Sequence, residues 1–142
     1  MRVLALDYGS ARCGVAISDP TGVLATPLDP VREPSSKFGF RALLRLVEER
    51  EVDRVLVGLP LSLSGEDSAQ TREVRDFAGL LGRRLARRDP PVEVELWDER
   101  FTTRLAQRDG GRGSEDSRAA AHLLSSWLDR AAARGPDRDH RA

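Results

Sequence analysis

Short apolar runs broken by turn residues fill the first thirty positions of the chain. Residues 2–7, "RVLALD", and 13–19, "CGVAISD", are β-favouring stretches with Gly9 and Gly14 around their junction, and they read as a hairpin. A third run, "GVLATPL" at 22–28, follows the turn "DPTG" and ends near Pro27 and Pro30, the pattern of an edge strand. The period then changes. In "FRALLRLVEERE" the apolar Phe40, Leu43, Leu44 and Val47 recur at helical spacing with charges opposite, which predicts an amphipathic helix packed on the sheet.

"DRVLVGLP" at 53–60 is a continuous apolar run cut by Gly58 and Pro60, as a buried parallel strand and its exit loop would be. A polar loop, "LSLSGEDSAQ", leads to a helix over about 69–88 with Val74, Phe77, Leu80, Leu81 and Leu85 on one face, stopped by Pro90 and Pro91. "VEVELWDE" at 92–99 is the last strand, and a helix rich in Ala and Leu runs from Ser114. The order is β-β-β-α-β-α-β-α, an α/β fold with a mixed sheet flanked by helices. One domain over residues 1–134 and a frayed tail over 135–142 are expected.

Composition narrows the class. At 142 residues, with 39% hydrophobic and 32% charged residues, the chain has the make-up of one globular domain that folds alone. No run approaches the roughly 20 apolar residues of a membrane span, and the start turns acidic too soon for a secretory signal, so a cytoplasmic location is expected. The single cysteine, Cys13, has no partner for an internal disulfide and lies in an apolar stretch, where a small buried hydrophobe is expected. Formal net charge is zero, so bulk charge points neither toward nor away from nucleic acid.

Three carboxylates carry the candidate chemistry. Asp7 ends the first strand, where an open α/β sheet places its functional crevice, although Asp before Tyr-Gly is also ordinary turn chemistry. Glu99, in "WDER", follows a strand predicted parallel to the first, so both acids face the same end of the sheet. Asp116 falls in the first turn of the last helix, where an acid complements the helix dipole in any case, and Glu115 and Asp109 compete with it. Three converging carboxylates need hard divalent cations, Mg²⁺ or Mn²⁺, to relieve their repulsion. Two such ions roughly 4 Å apart suit in-line phosphodiester displacement.

The loop after the fourth strand offers backbone amides around Gly58 and Gly65 and the hydroxyls of Ser62, Ser64 and Ser68 for phosphate oxygens, with Pro60 a further substrate contact, and it is not a Walker A loop because the lysine is missing. Arg12 and Arg100 stand beside the acids as phosphate clamps, with Gly9 and Thr102 as further substrate contacts. Arg83, Arg84, Arg87 and Arg88 at the end of the second helix read as a solvated face.

The stretches "LALDYGSARCGVAISD", "VGLPLSLSG" and "LWDERFTT", in this order, resemble the YqgF family, bacterial proteins described as Holliday-junction resolvases and as pre-16S rRNA nucleases. The resemblance runs to about Leu128. It implies a ribonuclease-H-like fold, a five-stranded sheet with the first strand central, and convergence of Asp7, Glu99 and Asp116 as catalytic metal ligands. Cys13 departs from the usual aliphatic residue, and residues 104–114 are shorter than usual and lack a lysine-rich stretch.

The implied activity is a metal-dependent nuclease acting on structured RNA such as pre-16S rRNA, or on branched DNA. Junction resolution needs two sites acting symmetrically, so it calls for a homodimer, which RNA trimming does not. A silent nucleic-acid-binding module is the non-enzymatic alternative. Strand-Asp-x-Gly also resembles the phosphate loop of actin-like ATPases, but those enclose the nucleotide between two lobes and this chain supplies one.

Overall fold

The computed structural model describes residues 1–102 and 115–134, and of Glu115 and Asp116 the backbone alone. The elements are β1 (Val3–Asp7), β2 (Arg12–Ser18), β3 (Ala25–Arg32), α1 (Lys37–Glu49), β4 (Arg54–Leu59), α2 (Ala69–Ala86), β5 (Glu93–Asp98), a 3₁₀ turn at Glu99–Phe101, and α3 (Glu115–Arg134). The sheet order is β3-β2-β1-β4-β5, with β1 central. β1, β2 and β3 form an antiparallel meander, and β4 and β5 run parallel to β1. This is the sheet that the family resemblance implies. No helix among the described residues is long and apolar enough to cross a membrane.

Alternation along the strands sorts side chains onto two faces. Leu4, Leu6, Val15, Ile17, Val55 and Val57 join Val47 of α1 and Phe77, Leu81 and Leu85 of α2 in one apolar core. Val3, Ala5, Ala16, Leu56 and Trp97 meet Ala120, Leu123, Leu124 and Leu128 of α3 in a second.

Two elements begin elsewhere than the sequence reading puts them, and one residue faces the other way. β3 begins at Ala25 and runs through Pro27 and Pro30 instead of spanning 22–28. Its start is delayed because the Asp19 carboxylate accepts from the amides of Val23 (2.8 Å) and Leu24 (2.9 Å), which locks these residues into the turn. The two prolines are tolerated because an edge strand has one side whose N–H groups need no ladder partner. α1 starts three residues before Phe40 because Ser36 caps it, its hydroxyl accepting from the Gly39 amide at 3.0 Å. On α2, Leu80 is 54% exposed and Ala78 takes its place in the core, since Val74, Ala78, Leu81 and Leu85 form the tighter helical stripe.

Candidate active site

Asp7 is the last residue of β1, half-buried. Val3 and Ala5 point toward α3, so alternation puts Asp7 on that face too. Its register partner on β2 is Gly14. On the other side β4 pairs Val57 with Leu6, which makes Gly58 the residue beside Asp7. A glycine on each flank leaves open space around the central carboxylate.

Glu99 enters this space from β5. It opens the 3₁₀ turn, which Asp98 caps by accepting from the Arg100 amide at 3.0 Å. A Cβ placed on Gly58 would stand 2.8 Å from Glu99 Oε2 and 3.2 Å from its Cγ, and would collide with Leu123 of α3. The absent side chain of Gly58 is therefore what lets Glu99 lie against the strand next to Asp7. What the structure shows at Gly58 is this volume, beside the phosphate-binding amide that the sequence suggests there.

The third element is pinned by Ser117. Its hydroxyl, fully buried, accepts from the Val15 amide at 3.1 Å. Val15 is the register partner of Leu6, one step from the Asp7–Gly14 pair, and the β2–β3 ladder shifts register between Cys13 and Val15. The first turn of α3 is thereby fixed to the sheet beside Asp7, with Asp116 the residue immediately before the anchor. The side chains of Asp116 and Glu115, and Asp109 entirely, lie outside the described residues. Among the described residues no three His, Cys, Asp or Glu side chains gather closely enough to hold a metal ion. What Asp7 and Glu99 offer is carboxylate oxygen, the donor that suits Mg²⁺ or Mn²⁺.

The remaining expected contacts fall into two groups. At the site's end of the sheet, Arg12 opens β2, exposed, and pairs in register with Arg32 of β3, so two guanidinium side chains stand at one corner. Arg100 donates from Nε and Nη2 to both oxygens of Asp98, the shortest contact being 2.7 Å, and from Nη1 to the Ser62 carbonyl at 3.4 Å. This charge-assisted pair holds the Asp98 carboxyl below its ordinary range. It also ties the loop after β4 to the 3₁₀ turn.

Within that loop Ser62 and Ser64 share a hydroxyl hydrogen bond of 2.9 Å, the Gly65 amide donates to the Ser62 carbonyl, and the Pro60 carbonyl accepts from the Thr71 hydroxyl at 2.5 Å. Ser68 caps α2, accepting from the Thr71 amide at 3.1 Å. Thr102 closes the 3₁₀ turn. Gly9 is needed for the tight β1–β2 connection, since a Cβ there would sit 2.7 Å from the Arg12 carbonyl oxygen.

Tyr8 turns away from the site. It is buried in the opposite core, 4.6 Å from the Phe77 ring centroid, with its hydroxyl hydrogen-bonded to Ser35 and donating to Glu73. Cys13 is likewise fully buried there, and burial, with the Asp7 charge adding to it, pushes its thiol up to about 12. Of the arginines at the end of α2, Arg88 pairs with Glu48 of α1 at 3.0 Å. Sequence reasoning missed Ser117, Arg32 and the spacer role of Gly58. The last was legible as a glycine at the position of β4 that alternation assigns to the α3 face.

Residues 1–130 match the model of a family described as RuvX, Holliday junction resolvase. The chain belongs to the RuvX family. A RuvX relative from Mycobacterium leprae (strain Br4923), named "Putative pre-16S rRNA nuclease", is 42% identical over 146 residues, covering 96% of this chain and 77% of the relative. One from Maridesulfovibrio salexigens, with the same name, is 39% identical over 140 residues, 92% of this chain and 100% of the relative. Among solved structures, T. thermophilus RuvC in complex with Holliday junction substrate superposes with a TM-score of 0.63 at 13% identity, over 95% of this chain and 97% of that one. The fold of this RuvX protein is thus the ribonuclease-H-like fold of the RuvC resolvases.

Proposed function

We propose that this RuvX protein is a divalent-metal-dependent nuclease that hydrolyses phosphodiester bonds, with the 5′ end of pre-16S rRNA as its substrate. The observation that supports this is the packing of Glu99 against Gly58, the β4 residue beside Asp7, at the end of the sheet to which Ser117 anchors the start of α3. The names of the relatives supply the choice of RNA. The domain is taken as residues 1–134, and the site of action as the cytoplasm, where rRNA precursors are processed.

Asp7, Glu99 and Asp116 would hold Mg²⁺ or Mn²⁺. Such ions, when bound, offset phosphate charge and raise the nucleophilicity of water at neutral pH. The protein's own part is positional. Gly14 and Gly58 keep space open beside Asp7, and α3 closes one face so that the carboxylates work in a partly dry cleft. Arg12 and Arg32 draw the phosphate backbone toward that end of the sheet. Arg100 reaches a phosphate by exchanging one of its Asp98 contacts.

The test presents purified protein with a precursor 16S rRNA 5′ end and with a synthetic four-way junction, at matched metal and salt because phosphate contacts are salt-sensitive. Cleavage of the RNA is expected. Asp7→Asn and Glu99→Gln should lower it by more than the roughly 10- to 100-fold that loss of an outer partner costs a metal site, with the melting temperature unchanged. Normal cleavage by either variant would overturn the site. Symmetric cutting of the junction by a dimer, with the RNA untouched, would move the function to junction resolution, the activity in the family's own description.

A further inference from the structure

Two residues beyond Glu99, the same 3₁₀ turn presents an aromatic ring to solvent. Phe101 is 48% exposed, and its ring stands edge-on to Trp97, with centroids 5.7 Å apart and planes at 69°. The Arg130 guanidinium, from α3, lies 4.7 Å from the Phe101 centroid and 5.6 Å from that of Trp97. Phe101 is therefore held on two sides. Trp97 is buried in the α3 core and Arg130 rises from the helix that closes the site. Trp97 Nε1 and Thr102 Oγ1, on either side of this turn in the chain, are buried and have no hydrogen-bond partner among the described residues.

We infer that Phe101, backed by Arg130 and Trp97, is a stacking platform for one unpaired nucleobase next to the scissile phosphate. The inference rests on the nuclease reading for what lies beside it, and adds that the strand must be single-stranded or frayed at that point. The chemistry is that of single-strand recognition, in which exposed aromatic rings stack bases and an adjacent guanidinium adds cation–π attraction and a phosphate contact. Location fits as well. Glu99 and Phe101 belong to one 3₁₀ turn, which sets their Cα atoms roughly 5 Å apart and a base on the ring within one nucleotide of the carboxylates. A ring already braced by two neighbours loses little freedom when a base settles on it. A paired base, stacked inside a duplex, cannot reach the ring without being flipped out.

The test reads binding separately from cleavage. A single-stranded oligonucleotide carrying 2-aminopurine at successive positions is titrated with protein at fixed ionic strength, and the same strand is assayed for cleavage with metal. Stacking quenches the fluorescence at one position. Phe101→Ala should abolish that quench and weaken binding roughly 5- to 150-fold, the range for one stacked base. Phe101→Trp should keep both. Phe101→Leu, which keeps the packing on Trp97 and Arg130 without an aromatic face, should behave as the alanine variant does.

An abasic site at the quenched position should weaken wild-type binding by the same factor and leave Phe101→Ala unaffected. Unchanged affinity in Phe101→Ala, an abasic penalty equal in both proteins, or no position-dependent quench would each overturn the platform. Wild-type protein that shows the quench and its Phe101 dependence but cuts neither this strand nor the precursor 16S rRNA 5′ end would instead overturn the nuclease reading alone.

Discussion

The two faces of one sheet are built to different rules. Toward α1 and α2, β1 presents Leu4 and Leu6, with Tyr8 just past its end, and β2 presents Cys13, Val15 and Ile17, mostly large side chains that fill a closed core. Toward α3 the same strands present Val3, Ala5 and Asp7, then Gly14 and Ala16, while β4 gives Leu56 and Gly58. Along β4 size falls from Leu56 to Gly58 toward the carboxyl end, and on β2 the residues facing α3 are the small Gly14 and Ala16. On the first face volume makes stability. On the second, its absence lets α3 start close to the sheet, with Ser117 hydrogen-bonded to the strand, and leaves room for two carboxylates. The molecule gives up core volume at one end of one face, and that is where the proposed site lies.

This division can be broken from either side. Leu6→Ala, fully buried toward α1 and α2, should cost about 2 to 5 kcal/mol in urea unfolding while the protein that stays folded cuts at its normal rate. A large activity loss without unfolding would mean that the faces are not separable. Gly58→Ala should do the opposite with a smaller stability change, about 1 to 3 kcal/mol from overpacking against Leu123 and Glu99, and should nearly abolish cleavage by displacing the Glu99 carboxylate. Ser117→Ala leaves the buried Val15 amide without its acceptor, for about 1 to 2 kcal/mol. Its cleavage rate should fall by less than in Asp7→Asn, because the anchor of α3 is lost but no ligand is.

Much of this was readable from the pattern of residue types. Strand-ending Asp7 and post-strand Glu99 were placed correctly in the chain because period-2 and period-3.6 patterns are strong here and parallel strands bring their carboxyl ends together. What stayed hidden was set by tertiary neighbours. β3 could not be bounded because Asp19 captures two amides that a strand would otherwise use. Arg100 reads as a phosphate clamp, and nothing local says that its guanidinium is hydrogen-bonded to Asp98 two residues away. Tyr8 sat in a turn motif beside the acid, yet alternation carries it to the opposite core, where it stacks on Phe77. Ser117 carries no local signal at all, because the hydrogen bond that matters spans 102 positions.

The smallest expected effect tests whether the closed face stays closed at high pH. Cys13 ordinarily ionises near 9.0, but burial, with the Asp7 charge on the far side of the strand adding to it, moves the folded thiol to about 12. Between these values the unfolded chain releases the thiol proton and the folded chain keeps it, so the unfolded state binds fewer protons and stability falls as pH rises. The contribution is fully present below pH 9 and drains away toward 12. Tyr8, raised by burial first from its ordinary 10.0, adds a slope of the same sign at the upper end of the window. Urea midpoints measured from pH 8 to 10.5 should therefore decline, and more steeply in the wild type than in Cys13→Ala, whose baseline is lower but whose thiol is gone. Equal slopes would mean that the thiol ionises in the folded state, and that the α1 and α2 face is less dry than its packing indicates.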